Sequence, residues 1–205
     1  MKTELPIGAI MAGGMNSRYG AIKALATVGG HRIIDRARAA LATVTPDIVL
    51  MANDAAAFAS VDLATRPDPQ PGLGALGGIY GALKWAEERG APGIIAVACD
   101  MPFLSEGLLA RILELAPTAD IVAPESTSRR GVEPLCAWYS ITCIPAVERA
   151  IARGDTRMIS FHGDVTLHLI PFAEVKTFGD PDVMFMNVNT PEERELAEAT
   201  AERVA

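Results

Sequence analysis

Three short, unbroken apolar runs, at residues 7–12, 48–52 and 94–99, alternate with stretches of helical periodicity, and each run stops at residues suited to chemistry. Strands that helices cover on both faces read as continuous apolar runs, so this alternation points to a parallel α/β sheet with right-handed connections. The first run stops at Gly13-Gly14, the second at Asn53-Asp54 and the third at Asp100-Met101-Pro102. Between the first two, residues 15–30 read as loop, after which Ile33, Ile34, Ala37, Leu41 and Val44 recur on one helical face. A Pro/Gly-dense loop at 65–78 then leads into a helix expected over 79–88, with Gly90 as its C-cap. Past the third run, Ser105 caps a helix carrying Leu108, Leu109, Ile112 and Leu113.

The second half is less regular. Residues 121–123 read as a further strand, 135–139, 158–161, 166–170 and 184–188 as extended, 144–153 as helical, and 191–203 as an acidic terminal helix. No repeat, low-complexity tract or linker interrupts the 205 residues, which are expected to form one domain. A hydrophobic fraction of 50% with only 21% charged residues supports a packed core rather than disorder. Aromatics are 5%, so Ala, Val, Leu and Ile must fill that core, which suits helices lying close on a sheet.

A net charge of −7 argues against a nucleic-acid binder, which carries a basic footprint. Cys99, Cys136 and Cys143 are widely spaced with no C-x-x-C pair, so reduced core thiols are expected rather than disulfides or a zinc knuckle. No apolar run approaches the roughly 20 residues of a membrane helix, and 6–12 is too short for a signal sequence. A cytoplasmic location without membrane attachment is the resulting expectation. His31, His162 and His168 lack ligand spacing and read as surface or strand residues.

The densest chemical signal is Met11-Ala12-Gly13-Gly14-Met15-Asn16-Ser17-Arg18-Tyr19-Gly20-Ala21-Ile22-Lys23. A strand that ends in Gly-Gly offers backbone N–H groups at the carboxyl edge of a parallel sheet, where such folds bind ligands. A Cβ at those positions would hold phosphate oxygens away from the backbone. Arg18 can fork onto a triphosphate, and Lys23 can meet it as a mobile point charge. The segment matches neither G-x-x-x-x-G-K-[ST] nor G-x-G-x-x-G, which removes P-loop and dinucleotide-binding readings. The second signal, Cys99-Asp100-Met101-Pro102, places an acid at the same sheet edge. Magnesium accepts one or two carboxylates when phosphate oxygens complete its shell.

The pattern A-G-G-x-x-x-R-[hydrophobic]-G-x-x-K resembles the signature of the molybdenum cofactor guanylyltransferases, a branch of the Rossmann-like nucleotidyltransferases. Cytidylyl relatives commonly show A-A-G where this chain has Ala12-Gly13-Gly14, which leans toward guanine. Cys99-Asp100-Met101-Pro102 is similar to the family's metal motif and implies Asp100 as the Mg²⁺ ligand. By order and context, Asn53 and Asp68 resemble the family's nucleotide-contacting Asn and Asp, although Ala75 replaces the usual Pro in the following loop. Gly131-Val132-Glu133-Pro134-Leu135, Gly154-Asp155-Thr156-Arg157-Met158 and Asn187-Val188-Asn189-Thr190-Pro191 resemble its acceptor-side segments, with Glu133 at a place often basic in relatives. Thr190-Pro191 also reads as an N-cap followed by Pro at N1, which capping alone explains; Asn187 and Asn189 are what capping leaves over.

The resemblance implies a three-layer nucleotidyltransferase fold of the nucleotide-diphospho-sugar transferase type, with a mostly parallel sheet. It implies a GTP half over about 1–124 and a molybdopterin half over 125–205. GTP would meet Met11, Ala12, Gly13, Gly14, Lys23, Asn53, Asp68 and Asp100; the pterin would meet Arg157, Asn187 and Asn189. Arg18, Lys23 and Asp100 would carry catalysis. The implied reaction is GMP transfer from GTP to molybdopterin or Mo-molybdopterin, with molybdoenzyme chaperones or cofactor-insertion proteins downstream. A CTP-dependent sister activity, transfer to a sugar or alcohol phosphate, or a silent nucleotide-binding subunit are the alternatives.

Overall fold

The computed structural model describes residues 5–12, 23–70 and 72–204. Gly13, Gly14 and Arg18 lie outside the described residues. The centre is a seven-stranded sheet of β1 (Ile7–Met11), β2 (Ile48–Met51), β3 (Ala64–Arg66), β4 (Gly93–Ala98), β5 (Ile121–Pro124), β6 (Cys136–Ser140) and β7 (Leu167–Ile170). Their spatial order is β3-β2-β1-β4-β6-β5-β7. Only β6 runs against the others: β4 and β5 both pair with it antiparallel, and β7 rejoins β5 in parallel. The sheet is therefore mostly parallel, as the alternating runs require.

Side chains alternate across each strand, and this sorts the core into two layers. Ile7, Ala9 and Met11 of β1 with Ile94 and Ala96 of β4 face α2 (Ala75–Arg89) and α4 (Ile144–Ala152). Ile10 with Ile95 and Val97 faces the opposite layer, α1 (Ile33–Ala42) and α3 (Glu106–Leu115). Covering both faces explains the absence of polar residues within 94–98. All three cysteines are free and buried, and among the described residues no helix is long and apolar enough to cross a membrane.

Several expected boundaries move. The loop expected at 65–78 hides β3, whose three residues are too few to show a period; β3 pairs with Val49, Leu50 and Met51. The Arg66 guanidinium stacks 3.8 Å over the Trp85 ring of α2, pinning this edge strand. Helix α2 begins at Ala75, not 79, because Gly74 enters it at φ 56 and Gly77 and Gly78 let its first turn approach the sheet. A Cβ on Gly78 would stand 3.1 Å from Met11 Sδ.

Residues 158–161 form turns rather than a strand, since Met158 and Phe161 are both buried, three apart, and Phe161 packs 6.0 Å from the Tyr139 ring. His162 is neither exposed nor in a strand. It is 8% exposed in a short 3-10 turn, edge-on to Phe161. Short helix α5 (Phe172–Val175) is followed by α6 (Pro181–Met184), which Asp180 caps by accepting from the Asp182 N–H, and 186–189 carry no regular structure. The terminal helix α7 (Pro191–Val204) closes a third small core, in which Ala197 and Ala201 meet Val28, Ile33 and Val188. Val28 belongs to a two-stranded ribbon, Thr27–Val28 with His31–Arg32, whose first strand falls inside the stretch expected as loop.

Candidate active site

The chain proceeds from β1 outward to β2 and β3, then returns to place β4 on the other side of β1. Strand order thus reverses between β1 and β4, and their carboxyl ends frame the crevice where open α/β sheets bind ligands. The ends are tightly registered. Ala12 N–H donates to the Met51 carbonyl at 2.9 Å, and Cys99 N–H to the Met11 carbonyl at 3.1 Å. Met11 and Ala12 are buried at the floor, with Asp100 one residue beyond the β4 side of this ladder.

Asp100 is held through its backbone. Its carbonyl accepts from Val188 N–H at 3.0 Å, which draws 186–189 across the crevice. Burial pushes its carboxyl above the usual carboxylate range; nearby Glu193 adds to that rise, while Lys23 and a backbone hydrogen bond oppose it. Glu133 is a second carboxyl in the same neighbourhood. Pairs of β4 with β6 run from Gly93↔Ser140 to Val97↔Cys136, Ala98 N–H donates to the Leu135 carbonyl at 3.0 Å, and the turn leading into β6 holds Glu133 within electrostatic reach of Asp100. Burial raises Glu133 as well, Asp100 reinforcing the rise and Arg130 opposing it, although Leu135 N–H donates to its Oε1 at 3.2 Å. The sequence marked Glu133 only as a departure from relatives; the antiparallel pairing that makes it Asp100's neighbour is tertiary.

Lys23 reaches the far end of the chain. Its Nζ donates to Asn189 Oδ1 at 3.3 Å, so the nucleotide-loop motif and the near-terminal motif meet. Asn187 behaves differently, turning its Nδ2 back to the Phe185 carbonyl at 3.1 Å. Arg157 forks onto Asp155, at 2.8 Å through Nε and 2.5 Å through Nη2, with its side chain 79% exposed. That guanidinium is engaged locally rather than at the Lys23–Asn189 pair.

On the other flank, Asn53 and Asp68 form a reciprocal pair. Asn53 Nδ2 donates to Asp68 Oδ2 at 2.8 Å, and Asp68 N–H to Asn53 Oδ1 at 2.7 Å. A Cβ on Gly77 would lie 3.2 Å from Asp68 Cγ, so the glycine lets this carboxyl approach the first turn of α2. Asp68 Oδ1 is buried and finds no donor among the described residues. Burial raises its pKa, with the Asn53 hydrogen bond pulling the other way.

A cleft of about 640 Å³ opens beside Lys23 and Asn189, walled by Ala26, Val188, Arg194 and Glu198, a size that suits a nucleotide-scale ligand. A cleft of about 660 Å³ lies at the opposite, amino edge of the sheet around Pro6, Pro92 and Asp120; the chemistry-bearing residues named above do not line it. Among the described residues no group of three or more His, Cys, Asp or Glu side chains could enclose a metal. The Asp100 carboxylate is a hard oxygen donor, of the kind magnesium accepts rather than a thiophilic ion. Cys99 does not compete as a ligand, because burial, reinforced by Asp100, pushes its thiol far up.

Comparison with known proteins agrees with this architecture. A molybdenum cofactor guanylyltransferase of Desulfosudis oleivorans is 33% identical over 195 residues, covering 94% of each chain. The solved molybdopterin-guanine dinucleotide biosynthesis protein A of Archaeoglobus fulgidus superposes with a TM-score of 0.77 at 22% identity, covering 96% of this chain and 99% of that one. Rv0371C of Mycobacterium tuberculosis, solved in complex with manganese, gives a TM-score of 0.66 at 16% identity, with 97% and 100% covered. The model of the MobA-like NTP transferase domain matches residues 8–165, and with these findings the chain belongs to that family of nucleotidyltransferases.

Proposed function

We propose that this chain transfers GMP from GTP to the terminal phosphate of molybdopterin or of its molybdenum-loaded form, releasing pyrophosphate and leaving a guanine dinucleotide cofactor. The observation that carries this reading is the hydrogen bond from Lys23 to Asn189. It joins the segment that would hold the triphosphate to the segment that would hold the acceptor, at the edge where strand order reverses.

In this reading the amides of Gly13 and Gly14 would seat the phosphates beside Met11 and Ala12, and Arg18 and Lys23 offset charge developing on them as the α-phosphorus is attacked. Asn53 and Asp68, held to each other by their reciprocal hydrogen bonds, would contact the nucleotide. Asp100, joined by phosphate oxygens, would hold Mg²⁺, which supplies counter-charge to those oxygens when bound. Asn189, with Asn187 and Arg157, would orient the acceptor. Its phosphate is already ionised and needs no general base, so alignment dominates. The chain acts as one domain, residues 1–124 serving GTP and 125–205 the pterin, in the cytoplasm. The pterin dinucleotide would pass to molybdoenzyme chaperones or cofactor-insertion proteins.

The test is pyrophosphate release with each of the four NTPs and Mg²⁺, with and without purified molybdopterin. GTP-specific, pterin-dependent release is the expected result. Preference for CTP would move the chain to the cytidylyl branch, and binding without release under any condition would make it a silent subunit.

A further inference from the structure

The start of α7 is built more firmly than helix capping requires. Glu193 Oε2 accepts from the N–H of Asn189 at 2.5 Å and from the N–H of Thr190 at 3.0 Å. Thr190 Oγ1 accepts in return from Glu193 N–H at 3.2 Å. The Thr190–Glu193 exchange is a capping box, which satisfies helix-end donors. The bond to Asn189 N–H is additional, because Asn189 precedes the N-cap. It fixes the residue whose side chain accepts from Lys23, while the preceding residue, Val188, is fixed to the Asp100 carbonyl. The backbone of 188–190 is therefore tied at one end to Asp100, just past β4, and at the other to Glu193.

We infer that Glu193 is a positioning residue, whose carboxylate sets Asn189 against Lys23 and so fixes the nucleotide-loop cation for the phosphates. The inference rests on the nucleotidyltransfer reading above. Glu193 itself touches no reacting atom; it works through one backbone N–H and the amide side chain that follows from it. Displacement of such a group by an ångström weakens alignment severely even when the fold is intact.

A double-mutant cycle read on equilibrium nucleotide binding by calorimetry tests this, since it needs no turnover. E193A is expected to weaken GTP binding about tenfold, as is N189A, and the double variant to be no weaker than N189A alone, because both act on one path. E193Q retains an acceptor oxygen and should bind close to wild type. T190A removes the N-cap hydroxyl but leaves the Asn189 N–H bond, so it should lower Tm with little change in affinity. Additive losses in the cycle, or T190A and E193A weakening affinity alike in step with Tm, would overturn the inference and leave Glu193 a helix cap only. E193D keeps the charge but withdraws the oxygen by one methylene, and replaces E193A in the cycle should that variant not fold. The wild-type titration is run first with all four NTPs. Preference for CTP there overturns the guanine reading, and the same cycle is then completed with CTP.

Discussion

Lys23 Nζ and Asn189 Oδ1 lie 3.3 Å apart although 166 positions separate them in the chain. The bond is between a cation and a neutral amide, so this contact orients the ammonium without itself cancelling the charge. Replacing Asn189 by Asp would set a carboxylate in the same place and tie the ammonium into an ion pair. N189D is expected to weaken GTP binding about tenfold, a loss of ~1.4 kcal/mol, relative to wild type in calorimetric titration. Unchanged affinity would mean that Lys23 does not serve the nucleotide.

Asp100 carries the proposed metal role with a single carboxylate, so the isosteric amide should remove most of it. D100N is expected to lower kcat about a hundredfold or more in pyrophosphate-release assays, and to lose the dependence of the residual rate on Mg²⁺ concentration. Wild-type turnover in this variant would reassign Asp100 to a structural role at the amino end of the α3 connection.

His162 makes stability depend on pH. Burial lowers its pKa from 6.5 to about 4, and its Nε2 has no partner among the described residues. The unfolded chain therefore binds a proton more readily than the folded one between those two values, and stability present above pH 6.5 is lost as pH falls toward 4. The group should cost about 2 kcal/mol at pH 5 relative to pH 7. H162F keeps the edge-on contact with Phe161 and removes the titration. Urea unfolding at both pH values should show a smaller acid loss in H162F than in wild type, by about that amount. The raised carboxyls Asp68, Asp100 and Glu133 push in the opposite direction, so only the difference between the two proteins isolates the histidine.

Gly93 starts β4 where a side chain has no room. A Cβ there would fall on the Tyr139 carbonyl oxygen and lie 2.5 Å from the Trp138 ring. Backbone in the middle of a sheet cannot yield as a flexible side chain can, so G93A is expected to cost about 3 kcal/mol. Gly163 has nothing within 4 Å of its would-be Cβ and φ below zero, and G163A should be close to neutral. Thermal unfolding of the two variants side by side checks the contrast.

Much of this protein was legible as sequence because its determinants are local. Continuous apolar runs mark β1, β2 and β4, since a strand covered on both faces tolerates no polar residue over its length. Ser105 and Gly90 mark helix ends through a side-chain acceptor and a left-handed φ of 69°. Asp100 was identifiable by its place after a buried strand, and Thr190 by the Pro that follows it. The missed elements were those whose local signal is too short. Three residues of β3 show no period, and Gly77 and Gly78 disguise the first turn of α2 as loop, because their purpose is close approach to Asp68 and Met11 rather than helix propensity. Met158 and Phe161 taken alone read as a strand, since two buried residues three apart fit a turn only once Tyr139 is there to receive them.

What tertiary structure alone decided is which of the chemical residues meet. Sequence order could not show that β6 runs antiparallel beside β4, bringing Glu133 near Asp100, nor that 188–190 cross the crevice so that Asn189, not Asn187, reaches Lys23. Those contacts depend on strand order and on backbone hydrogen bonds between segments far apart in the chain, and no local pattern encodes them. The residue types fixed what chemistry was available; the reversal of strand order between β1 and β4 fixed where it converges.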